Sequence, residues 1–116
     1  MVDGTVTLWR PTGPQELDLV RASGWLAWPP RLPEQPVFYP VLDEQYAIGL
    51  ARDCNAPFSG VGYVTRFDVW RSFLDRYQVH QVGAMVREYR IPAADLPELN
   101  ENLVGPIVVV HQFRAD

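Results

Sequence analysis

The chain contains no lysine, and all ten of its basic residues are arginines. Codon bias in a GC-rich genome is the first explanation; a use of the guanidinium fork for phosphate or carboxylate is the second. Fourteen acidic residues outweigh the arginines, leaving a formal charge of -4. No broad basic face therefore exists to attract a phosphate backbone, and a protein is the more expected macromolecular partner than a nucleic acid. Cys54 is the single cysteine, which excludes an intramolecular disulfide and points to a reducing compartment. The two histidines, His80 and His111, lie far apart without Cys, Asp or Glu at ligand spacing. No metal is expected, and each reads as a satisfied strand histidine. Long apolar runs are also lacking, and Asp3 stands early in the chain. Neither a membrane span nor a signal peptide is expected, and the cytoplasm is the expected location. G-x-S-x-G, P-loop and dinucleotide fingerprints are missing; Gly60 and Gly62 form a G-x-G in a loop before a strand, the wrong context for phosphate at a helix N-terminus.

What is present describes one globular domain over residues 1–116, since 47% hydrophobic and 21% charged residues in a chain of this length suffice for a single core. Thr5 to Arg10 alternate as a strand, stopped by Pro11-Thr12-Gly13. Pro14 opens a helix that Gly24 closes. Trp25 to Pro36 holds two tryptophans and four prolines and is expected to be a rigid crossing loop with aromatic anchors. Val37 to Leu42 returns to strand, and Asp43 caps a second helix with the apolar stripe Tyr46, Ala47, Leu50, Ala51 and Cys54, which places Cys54 in the core as a small hydrophobe. After a loop over Asn55 to Gly62 come a strand at Tyr63 to Val69 and a short helix on Trp70, Phe73, Leu74 and Tyr77. Strands follow at Val79 to Val82 and Val86 to Ile91. Asp95 and Glu98 form a capping-box pattern for a last helix, and Ile107 to His111 reads as a central strand. This order lacks regular βαβ alternation and predicts an α+β fold with mostly antiparallel sheets.

Four segments in sequence carry a resemblance: Leu8-Trp9-Arg10, the helix closing at Gly24, Phe38 through Ala47, and Arg87-Glu88-Tyr89-Arg90-Ile91-Pro92. Together they resemble the ADP-ribosyltransferase superfamily, and small bacterial proteins associated with ADP-ribosylation in particular. That resemblance implies two small, mostly antiparallel sheets packed together with flanking short helices and a cleft for NAD between them. It implies Glu88 as the catalytic carboxylate that stabilises an oxocarbenium-like transition state. Arg10 would hold ribose or pyrophosphate, and Tyr39 and Tyr46 would stack on the nicotinamide. The implied reaction is transfer of ADP-ribose from NAD to a macromolecular acceptor, or NAD glycohydrolysis. Val86 stands two residues before Glu88, where arginine-modifying transferases carry Glu or Gln. The tyrosines are seven positions apart, and no Ser-Thr-Ser occurs on that strand.

Each of these residues also has a plainer reading. Arg10 can be an ion-pair partner at a strand end, Glu88 can pair with Arg66 or another cation, and Tyr46 belongs to an apolar helix stripe. The competing function is a non-catalytic immunity or adaptor protein of the same fold that binds a protein partner through a tryptophan-rich surface. Convergence of Arg10 and Glu88 on one cleft, or their placement on opposite faces, separates the two.

Overall fold

The computed structural model describes residues 4–82 and 86–115. In chain order the elements are β1 (Thr5–Thr12), α1 (Pro14–Ala22), β2 (Val37–Phe38), α2 (Glu44–Leu50), a π-helical turn (Ala51–Asn55), α3 (Ala56–Ser59), β3 (Val61–Trp70), α4 (Arg71–Leu74), β4 (Val79–Val82), β5 (Val86–Tyr89), β6 (Ile91–Pro92), a 3-10 turn (Ala93–Asp95), α5 (Leu96–Glu101) and β7 (Leu103–Arg114). The fold is α+β with antiparallel pairing throughout the described residues.

Three small sheets form where the resemblance implied two packed together: β1-β3-β7, β2-β6 and β4-β5. The segment around Val41 explains the difference. Pro40 has no N–H to give a ladder, so the expected strand from Val37 to Leu42 breaks into β2 and a single bridging residue, Val41. At that bridge Val41 exchanges two 2.9 Å backbone hydrogen bonds with Trp9 and pairs on its other side with Glu88. The β4-β5 ladder is thereby stitched alongside β1, edge to edge, rather than packed across it.

Alternation along β1 sorts the core into two layers. Leu8 faces Phe67, Val69, Trp28 and Phe38, a layer that α1, α4 and α5 close with Val20, Phe73, Leu74 and Leu99. Trp9 faces the opposite way, onto Val41, Val64, Ala47 and Ala51 beneath α2. Trp28 is the anchor of the proline-rich crossing segment. Its backbone N–H donates to Asn100 Oδ1 at 2.8 Å and its carbonyl accepts from Asn100 Nδ2 at 3.0 Å, so one side-chain amide does the work of a ladder partner.

The second helix departs from its expected stripe after Ala51. The buried residues Ala47, Ala51 and Ala56 are spaced four and then five apart, because the π-helical turn inserts one extra residue. Cys54 is consequently rotated outward and is exposed, not a core residue. The expected loop after Asn55 is instead helical through Ser59, and Gly60 ends it at a φ of 86°, a left-handed cap. The turn packs directly on β3 at Gly62.

The capping box expected at α5 does not form. Asp95 accepts a 2.7 Å hydrogen bond from the Tyr77 hydroxyl, leaving the helix to begin through the 3-10 turn. Burial, reinforced by that bond, pushes the Tyr77 pKa up to about 12. A raised tyrosine pKa contributes stability that is fully present below the unfolded-state value near 10 and is lost as the pH rises through about 12. Denaturant midpoints at pH 9 and pH 11.5 are expected to fall more for wild type than for Tyr77→Phe; equal losses would contradict the buried bond.

Ile107 to His111 was expected to be central, yet β7 is the outer strand of its ladder beside β3. Only Ile107 of its apolar run is buried, and its N–H donates to the Trp25 carbonyl at 2.7 Å. Trp25, at a φ of 67°, turns that carbonyl toward the strand.

Candidate functional site

Arg10 leaves β1 on the Leu8 side. The Pro11 to Gly13 turn and the helix start at Pro14 fold the chain back, so Glu16 in the first turn of α1 lands on the arginine. Arg10 Nε donates to Glu16 Oε2 at 2.6 Å and Nη2 to Oε1 at 2.9 Å, a bidentate pair. The guanidinium carbon sits 4.5 Å from the Phe38 ring centroid and 5.8 Å from that of Trp28, a cation-π environment. Arg31 reaches the same carboxylate from the crossing segment, but only at 3.5 Å through Nη1. Its side chain is 11% exposed, as is that of Arg10. The Arg31 Nε is buried with no hydrogen-bond partner among the described residues. Desolvation first, and the neighbouring Arg10 second, lower the Arg31 pKa.

Glu88 stands elsewhere. Register partners share a face, and Trp9, Val41 and Glu88 lie in one cross-strand row. Glu88 therefore shares the Trp9 side of the sheet, and Arg10, one residue along β1, projects from the other. Glu88 is 8% exposed and its carboxylate accepts from Arg90 Nε at 3.0 Å, the plainer pairing with a different cation than Arg66. Tyr46 packs against the Val41 layer, with its backbone N–H donating to the Asp43 cap at 3.0 Å. Tyr39 is 44% exposed and within electrostatic reach of Arg31. Three of the four sequence-derived residues thus divide: Arg10 stands on one face of the sheet, and Glu88 and Tyr46 on the other. A nucleotide lying on either face meets Arg10 or Glu88, and not both from the same side.

The residues that gather around Arg10 carried no motif. Glu16 and Arg31 line a hollow of about 230 Å³ between α1 and the proline-rich segment, walled by Leu19, Leu32, Pro29 and Pro30. A second hollow of about 450 Å³ shares Gln15 and Glu16 with it and runs to Phe58 on α3. Leu19 is 57%, Leu32 56% and Phe58 93% exposed. The tryptophans contribute little to this surface: Trp28 is buried and Trp25 packs on the core. The sequence signal that pointed this way, in retrospect, is the Pro29-Pro30-Arg31-Leu32-Pro33 run, which holds a charged and an apolar side chain on a rigid backbone.

Among the described residues no group of three or more His, Cys, Asp or Glu could hold a metal ion. No helix among them is long and apolar enough to cross a membrane. Comparison of the chain with protein-family models, curated proteins and solved structures finds no match.

Proposed function

We propose that the chain is a protein-binding domain of the adaptor or immunity kind, docking its partner across α1. The observation that carries this reading is the pair of adjoining hollows that share Gln15 and Glu16 and are flanked by Leu19, Leu32 and Phe58. Large apolar side chains held in water around a groove with an arginine in its wall have the make-up of an interface core, where aromatic, aliphatic and arginine anchors dominate the energetics. Burying one such side chain against a partner contributes about 1.5–3 kcal/mol. ADP-ribosyl transfer stands second, because it asks Arg10 and Glu88 to work on one ribose from opposite faces.

The test pairs two measurements. Calorimetry with NAD is expected to show no binding at millimolar nucleotide. Capture from a lysate of the source cell is expected to yield a protein whose recovery falls at least tenfold with Phe58→Ser or Leu19→Ser and stays unchanged with Val108→Ser, on β7 and outside both hollows. NAD binding that Arg10→Ala abolishes, with nicotinamide release that Glu88→Gln abolishes, would return the transferase reading to first place. Capture indifferent to Phe58 and Leu19 would remove the α1 face as the docking site.

A further inference from the structure

The Arg10, Glu16 and Arg31 cluster is not electrically complete. Two guanidinium groups share one carboxylate, and both oxygens of that carboxylate are already taken by Arg10 at 2.6 and 2.9 Å. Arg31 keeps a 3.5 Å remnant of the pair and an Nε with no hydrogen-bond partner among the described residues. One positive charge is left over in a place where little of either arginine reaches water. Buried charges are ordinarily paired and hydrogen-bonded, because the desolvation of a lone ion is costly. Here the under-bonded cation also forms part of the wall of an open hollow.

We propose that this hollow is a recognition site for an acidic peptide segment of the partner, with Arg31 pairing its carboxylate and Leu19 and Leu32 holding an adjacent apolar side chain. The proposal rests on the protein-binding reading and adds the chemistry that the partner must bring. The charge sets the class of anion: a carboxylate cancels the single surplus charge, whereas a dianionic phosphate would leave the same buried spot negative beside Glu16. The walls set the rest. Leu19, Leu32, Pro29 and Pro30 surround the arginine with apolar surface, which a free small anion leaves wet and a leucine-like neighbour covers. Arg31 is also the better placed of the two cations to exchange partners, since Arg10 is locked in its fork and stacked on Phe38.

The experiment is a nuclear magnetic resonance titration of the full chain, observing the side-chain Nε–Hε signal of Arg31. The probes are acetyl-Leu-Glu-amide, its neutral twin acetyl-Leu-Gln-amide, and inorganic phosphate. The acidic dipeptide is expected to move the Arg31 signal in a saturable way, and to bind at least tenfold more tightly than the neutral twin or phosphate. Arg31→Gln is expected to lose that binding while keeping its native amide spectrum. Arg31→Lys, which keeps the charge but loses the fork, is expected to fall between. Leu19→Ser is expected to weaken the acidic dipeptide several-fold without touching phosphate. An unmoved Arg31 signal, equal binding of the neutral twin, or a preference for phosphate overturns the proposal. A chain that binds the acidic dipeptide here but shows no α1-dependent partner capture keeps the acidic site and loses the adaptor reading. Capture that depends on Phe58 and Leu19 with an unmoved Arg31 does the reverse.

Discussion

Glu16→Gln is expected to destabilise the protein by about 3 kcal/mol, the low end of the range for removing one partner of a buried ion pair. The substitution keeps the side-chain shape and removes only the charge that holds Arg10 and Arg31 together. Both guanidiniums are then nearly buried and like-charged beside the same Phe38 ring, with no carboxylate between them. At about 4 °C per kcal/mol, the value where the ranges for smaller and larger domains meet, the melting temperature falls by about 12 °C. Arg31→Gln, made alone, has the opposite character: it removes a poorly bonded cation and the repulsion with Arg10, so stability is expected to hold or rise slightly. The double variant is expected to recover part of the Glu16→Gln loss. Additive effects, measured by urea denaturation of the four proteins, would mean that the three groups do not act as a unit. A residue whose removal helps the fold and harms binding is the signature of a group kept for function.

Gly62→Ala is expected to cost about 3 kcal/mol, at the upper end for overpacking. A Cβ placed on Gly62 would stand 2.2 Å from the Ala51 carbonyl oxygen and 2.9 Å from Asn55 Cβ. The first of these is backbone at the start of the π-helical turn, so the clash cannot be relieved by turning a side chain. Either β3 bulges away or the turn reverts toward regular helix and drags Ala56 out of its buried place. Gly49→Ala is the matched control. It lies in α2 with nothing within 4 Å of the added carbon, and the gain in helix propensity, up to about 1 kcal/mol, is expected to make it stabilising. Denaturant midpoints moving in opposite directions for the two variants are the expected result; a neutral Gly62→Ala would mean that the close approach is absent in solution.

Much of the secondary structure was legible because its signals are local. Pro14 and Gly24 bracket α1, Asp43 caps α2, and the alternation of Thr65, Phe67 and Val69 marks a buried strand face. The failures share a cause, which is that the deciding contact lies far away in sequence. Nothing near Cys54 announces the π-helical turn; Gly62, on the next strand, makes room for it. Nothing near Val41 announces that it will bridge Trp9 and Glu88 together. The apolar run of β7 reads as central, yet it lies on an outer strand with only Ile107 buried, because a run of valines fixes neither how many neighbours a strand has nor how much of it is covered. The site followed the same rule. Arg10 and Glu88 could be singled out as residue types, but the face from which each projects depends on a strand register that no local pattern fixes. Arg31 and Glu16, fifteen positions apart, meet through the rest of α1 and the start of the crossing segment, a pairing without periodicity.

The carbonyl of Trp25, turned onto the N–H of Ile107, bears on whether a second molecule can add a strand to this sheet. A twelve-residue outer strand rich in valine is a template on which another molecule's strand can add, the first step toward fibrous aggregates. Gly105 and Pro106 interrupt that template, and the Trp25 carbonyl occupies the next donor along it. What remains open is a short stretch running toward the positively charged Arg114. The left-handed twist at Trp25, unusual for so bulky a residue, thus caps part of a strand edge from a position outside the sheets.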